Sequence, residues 1–144
     1  MRLLAFFAAL LLSTSALAEG FKSPEATKEF SDKLMIYFSQ AKFTEGLNTA
    51  KPYWPLPVVE IDGLANQINQ SWPIVDKRMG KSLGSEYIKS IPLGSSIIRH
   101  LYLQKLENHF IFWQIDFYKP NNEWRIDSIK FLDSLDPIFM QLKG

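Results

Sequence analysis

Residues 109–118 read HFIFWQIDFY, a strand-like run in which both alternating sets of side chains are rich in apolar and aromatic residues. Successive strand residues point to opposite faces of a sheet, so a strand of this composition must be covered on two sides. One set, Ile111, Trp113, Ile115 and Phe117, is uninterrupted and fits permanent burial by helices or by a second subunit. The other is broken by Gln114 and Asp116, so a functional site is expected on that side.

The surrounding sequence supplies the partners. From Gly84 onward the apolar period is two, which predicts a strand over 86–91 ending at Pro92 and Gly94, then strands over 96–105, 109–118 and 124–131. The connections at 106–108 and 119–122 are short enough for hairpins, so the last three strands form an antiparallel meander.

Ahead of the strands the period is helical. Ser23, Pro24 and Glu25 have the order of a helix start: a hydroxyl cap, a proline where its missing donor costs nothing, and an acid at the positive end of the dipole. Phe30, Leu34, Tyr37, Phe38 and Ala41 follow on one face, predicting a helix over 24–42. Gly46 and the proline-rich KPYWPLP at 51–57 interrupt it. A second helix carries Ile61, Leu64, Ala65, Ile68, Trp72, Val75 and Met79, closes at Gly80, and should kink or split near Trp72 because Pro73 lies inside it. Asp136 and Pro137 read as the cap and first residue of a last short helix bearing Ile138, Phe139 and Leu142. Helices first and a meander after give an α+β fold, with N-terminal helices packed on one face of a curved antiparallel sheet.

The first eighteen residues read as an address. Arg2 gives a short positive region, residues 3–12 an apolar stretch too short to span a bilayer, and Ala16, Leu17 and Ala18 a small-x-small cleavage site, so the mature chain is expected to begin at Glu19 and to have no membrane span. With no cysteine the chain has no disulfide, thiolate-metal or lipoprotein chemistry, and export without disulfides favours the bacterial periplasm. Loss of Arg2 balances the 16 basic side chains against the 15 acidic ones. A neutral chain with singly scattered charges argues against a nucleic-acid partner or a polybasic membrane patch. Residues 19–144 suit a single domain with one core.

The order of helix, kinked helix and meander, with GKSLGSEY at 80–87 ahead of the sheet and FYKPNNEWRI at 117–126 across the last hairpin, resembles exported members of the NTF2-like superfamily. The resemblance implies a cystatin-like cone with a pocket between helices and concave sheet, and a second sheet face that often forms a homodimer. It implies no single activity, because that fold hosts isomerases, dehydratases and non-enzymatic domains. In its enzymes a pocket acid or an Asp-His pair moves the proton.

If the first hairpin turns at Glu107, His100 lies across from Gln114 and Ile98 from Asp116, all on one face with Tyr102, Phe112 and Tyr118. His100 and Asp116 are then the candidate catalytic pair, weighed against a structural hydrogen bond, and Tyr102, Phe112, Gln114, Asp116 and Tyr118 the candidate binding residues. In the second hairpin a two-residue loop would oppose Asp116 to Asp127, a like-charge pair, whereas a three-residue loop pairs Tyr118 with Trp124 and is preferred. No metal site and no cofactor motif is expected. Arg99 needs a partner if buried, and Glu86 is a candidate. Trp54, Trp72, Trp113 and Trp124 are read as core rather than as the lining of a pocket. The readings that follow are an exported domain binding a small apolar or amphipathic molecule, an interaction domain closed by a second copy or another protein, and, as the alternative, an acid/base enzyme of isomerase or dehydratase type.

Overall fold

The computed structural model describes residues 19–143, so the expected leader lies outside the described residues. Three helices, α1 (Pro24–Ser39), α2 (Phe43–Ala50) and α3 (Val58–Met79), precede the strands β1 (Ser82–Leu93), β2 (Ile97–Leu106), β3 (Phe110–Tyr118) and β4 (Arg125–Leu132), and a short α4 (Asp136–Leu142) follows them. The strands form one antiparallel sheet in the order β1-β2-β3-β4. The fold is α+β, and the meander takes in four strands instead of three.

Ser23 caps α1 as its sequence dictates, accepting the Ala26 N–H at 3.1 Å with Pro24 in the first turn. The helix stops at Ser39, three residues short of the expected end, because Ala41 turns left-handed with φ 57°. The chain then forms α2, an extra helix that contains the glycine expected to interrupt helical structure. Gly46 is there for close approach: a Cβ at this position would lie 3.0 Å from ring and Cβ atoms of Phe38 and Tyr37 on α1. Helix α3 runs through Pro73 as one element, so the expected split does not occur. Pro92 is accommodated within β1 because this strand lies at the sheet edge. In α4, Leu135 already has helical dihedrals and accepts the N–H groups of Ile138 and Phe139, so Asp136 is the first helical residue and not the cap.

Both covers that the central strand requires come from this chain. Ile111, Trp113, Ile115 and Phe117 face the N-terminal helices and pack with Leu34, Phe38, Phe43, Leu47 and Ile61 in the main core. On the reverse face, Leu101 and Phe112 pack against Ile138 of α4, with Ile88, Ile91 and Leu132 around them. Trp54 and Trp124 are core residues, and Trp124 also bridges Phe21 through two backbone hydrogen bonds of 2.8 and 2.9 Å. Among the described residues no helix is long and apolar enough to cross a membrane.

Candidate functional site

The register of β2 against β3 decides which polar groups meet. Leu106 N–H bonds to the His109 carbonyl, so the turn is the two-residue Glu107-Asn108 loop, and every pair differs by one from that expected for a turn at Glu107 alone. His100 lies opposite Ile115, Leu101 opposite Gln114, and Arg99 opposite Asp116. A slip of one residue moves a strand's side chains to the other face. His100 and Tyr102 therefore face the helices, while Phe112, Gln114 and Asp116 face α4, and the expected His100–Asp116 pair is not assembled. Tyr118, 45% exposed, ends β3 opposite Arg125.

Asp116 takes another partner. Arg99 grips it with two hydrogen bonds, and Gln114 Nε2 at 3.2 Å and Ser128 Oγ at 3.3 Å add donors to Oδ2. Arg99 Nη1 continues to Gln141 of α4 at 2.8 Å, tying the last helix to the sheet. Bonding to Asp116 raises the Arg99 pKa further above neutrality. Four donors thus enclose the carboxylate on the α4 side of the sheet. Glu86, the expected partner of Arg99, instead lies 3.4 Å from Lys105. In the last hairpin Tyr118 pairs with Arg125 rather than Trp124, and a bulge between Asp116 and Phe117 leaves Asp116 opposite Ser128. The extra residue, Asp127, drops out of the ladder, which removes the like-charge opposition that an unbulged register would create. Among the described residues no group of three acidic or histidine side chains is placed to hold a metal ion.

On the helix side His100, 1% exposed, sits in a directed chain of hydrogen bonds. Thr27 donates its hydroxyl proton to the Pro24 carbonyl at 2.6 Å. Its oxygen, 2.8 Å from His100 Nε2, can then only accept, which places the ring proton on Nε2. Nδ1 carries the lone pair and accepts from Ser90 Oγ at 2.6 Å, and the Ser90 oxygen accepts in turn from the Tyr87 hydroxyl at 2.6 Å. Burial pushes the imidazole pKa down to about 4; Lys28 adds to the shift, while Asp32 and Asp116 oppose it. The ring is neutral at physiological pH, as the tautomer requires.

A second bulge assembles this row. The β1–β2 register shifts between Tyr87 and Lys89, which pairs Tyr87 with Tyr102 and Ser90 with His100. Residues three apart on a regular strand point to opposite faces, but the extra residue Ile88 turns Tyr87 and Ser90 to the same one. Beside them Lys28 Nζ stands 3.9 Å from the centre of the Tyr87 ring and 2.6 Å from Asp32 Oδ1, and Tyr102 donates to that same oxygen at 2.6 Å. Burial first, and then this bond, raises the Tyr102 pKa, so the phenol stays protonated. Ser90 and His100 open onto a cleft of about 360 Å³ whose α1 wall carries Glu25, Lys28, Glu29 and Asp32.

A different depression lies under α3. Leu64, Ile68, Trp72 and Val75 form one stripe of that helix and, with Trp113 and Phe131 of the sheet, line a cavity of about 140 Å³. Beyond Ile68 no residue of α3 is fully buried, so the second half of the helix stands off the sheet. Gln67 and Ser71, both exposed, stand at the rim. Trp113 is core, as its sequence context predicts, and Trp72 packs against that core, yet both also border this depression, while none of Tyr102, Phe112, Gln114, Asp116 or Tyr118 lines either one. Thr27, Lys28, Asp32, Tyr87 and Ser90 had no motif to mark them. A turn centred on Ser95 would have paired Ser90 with His100, but the Ile88 bulge has no sequence signature of its own. No protein-family model, curated protein or solved structure matches the chain.

Proposed function

We propose that the chain is an exported NTF2-like domain, periplasmic by its leader, that binds a small apolar or amphipathic molecule beneath α3. The observation that carries this reading is the cavity of about 140 Å³ walled by Leu64, Ile68, Trp72, Val75, Trp113 and Phe131. An apolar cavity of roughly 150 Å³ stays dry and accepts a benzene-sized molecule, so the scale here is one aromatic ring or a short branched chain. The exposed Gln67 and Ser71 at the rim supply hydrogen-bonding groups where a polar end would emerge. The resemblance to NTF2-like proteins supports a pocket between helices and sheet, and the apolar lining supports binding rather than proton transfer there. Self-association through the sheet would use the α4 side, since the other side is closed by α1 to α3.

The test is a heteronuclear NMR titration of the mature protein with toluene. Saturable shifts of the Trp72 and Trp113 indole N–H signals are expected, and Val75→Phe, which fills the cavity, should abolish them. Shifts that never saturate, or that persist in Val75→Phe, would sink the reading.

A further inference from the structure

We propose that Ser90 is a nucleophile activated by His100, forming a second site on the α1 side of the sheet that transfers acyl groups from small esters. The contact is direct, 2.6 Å from Ser90 Oγ to His100 Nδ1, and the Thr27 bond at Nε2 leaves the Nδ1 lone pair facing the serine hydroxyl. A serine is a weak nucleophile unless an adjacent base removes its proton as it attacks, and that base works only in the correct tautomer with a third group fixing its orientation. Thr27, itself anchored to Pro24, is that positioning residue. The imidazole is buried while Ser90 borders the open cleft, so the base is shielded and the nucleophile is reachable.

The reaction balances without any added redox partner. Ser90 Oγ attacks the ester carbonyl carbon as its proton passes to Nδ1. The tetrahedral adduct collapses, the alkoxide leaving group takes the proton from Nδ1, and Ser90 is left acylated. Water then attacks the acyl carbon, giving its proton to Nδ1, and that proton returns to Oγ as the carboxylic acid departs. The Tyr87 hydroxyl, 2.6 Å from Ser90 Oγ, places a hydrogen-bond donor beside the reacting serine. Glu25, Glu29 and Asp32 outnumber Lys28 on the cleft wall, which favours neutral or cationic esters over anionic ones. Because His100 is held neutral by burial it is a weak base, and good leaving groups are required.

Incubation of the mature protein with p-nitrophenyl acetate, followed by peptide mass mapping, tests this. An acetyl group on Ser90 is expected, with release of p-nitrophenolate that Ser90→Ala abolishes and Ser95→Ala, in the exposed β1–β2 turn, leaves unchanged. His100→Gln, checked by circular dichroism for a native fold, should slow Ser90 acetylation at least about a hundredfold. Acetylation confined to lysines, or an unchanged Ser90 rate in folded His100→Gln, overturns the proposal. If that variant does not fold, the wild-type profile decides: a Ser90 rate that is level between about pH 5.5 and 7.5 supports a base already deprotonated there. A rate that climbs with hydroxide concentration overturns it.

Discussion

Arg99 holds Asp116 across the β2–β3 ladder with two parallel hydrogen bonds, Nε to Oδ1 at 2.8 Å and Nη2 to Oδ2 at 2.9 Å. The Asp116 side chain is 10% exposed, whereas the Arg99 side chain keeps 33% of its surface in solvent. Hydrogen bonds to charged groups contribute about 1.5–3 kcal/mol, and the partial exposure of Arg99 places this pair toward the lower end. Asp116→Asn should therefore lower unfolding stability by about 2 kcal/mol in urea denaturation, and in a double-mutant cycle with Arg99→Met the two losses should not add. Toluene binding under α3 should survive at temperatures where the variant is folded. A loss of binding without a loss of stability would instead mark Asp116 as part of a ligand site.

Two glycines give opposite expectations for the same substitution. Gly80 has φ 86° and ψ 178°, a conformation that side chains disfavour, and an added Cβ would lie 2.6 Å from Glu107 Cβ. The close approach is needed because the β2–β3 turn docks there, with Asn108 N–H bonded to the Met79 carbonyl at 2.8 Å. Gly80→Ala should cost about 2–3 kcal/mol. Gly63 lies inside α3 with nothing within 4 Å of its added Cβ, so Gly63→Ala should gain about 0.5–1 kcal/mol. Thermal unfolding of the two variants side by side checks both signs.

The fold class was legible because it depends on period, which in this chain turns from helical to two near Gly84 and back to helical for the short α4. The Ser23 and Gly80 caps and the proline-rich break were equally local, whereas the cap of α4 fell on Leu135, one residue before Asp136. What could not be read was parity. A turn at Glu107 alone and a turn at Glu107-Asn108 differ by half a residue in their centre, yet they put His100 and Asp116 on one face or on two. The bulges at Ile88 and Asp127 act in the same way: each adds one residue that no propensity marks, and between them they create the Tyr87–Ser90–His100 row and separate Asp116 from Asp127. Composition gave correctly that both faces of β3 are covered, but not which cover each face receives. The cavity was hidden for another reason: Trp72 and Val75 sit at core spacing, and only the lift of α3 from the sheet turns them into a lining.

Ala41 ends α1 at a cost. It is exposed, its φ is 57°, and its N–H bonds to the Phe38 carbonyl at 3.0 Å, the geometry of a left-handed helix terminus. A left-handed conformation costs an ordinary residue about 1–2 kcal/mol, part of which glycine loses through its greater freedom in the unfolded chain. Ala41→Gly should thus raise stability by about 0.5–1 kcal/mol, contrary to the usual effect of glycine. A lower urea midpoint in this variant would mean that Ala41 is not held left-handed in solution.

His100 is buried as the neutral imidazole. Its pKa falls from 6.5 to about 4 on folding, because burial penalises the cation, Lys28 repels it, and Asp32 and Asp116 only partly compensate. Between those two values the unfolded chain binds the proton and the folded chain does not, so unfolding takes up a proton and stability rises with pH. The contribution is complete above about pH 6.5, declines as the pH falls through the window, and is gone near pH 4. Its size is about 3 kcal/mol, since each tenfold loss of proton affinity on folding corresponds to roughly 1.4 kcal/mol. Urea denaturation at pH 7 and at pH 5 should show the wild type losing stability on acidification. His100→Gln, which keeps hydrogen-bonding groups for Thr27 and Ser90 but cannot titrate, should be less stable at pH 7 and nearly level across the same interval. An equal slope in both proteins would assign the acid sensitivity to other groups and would mean that His100 is not buried neutral.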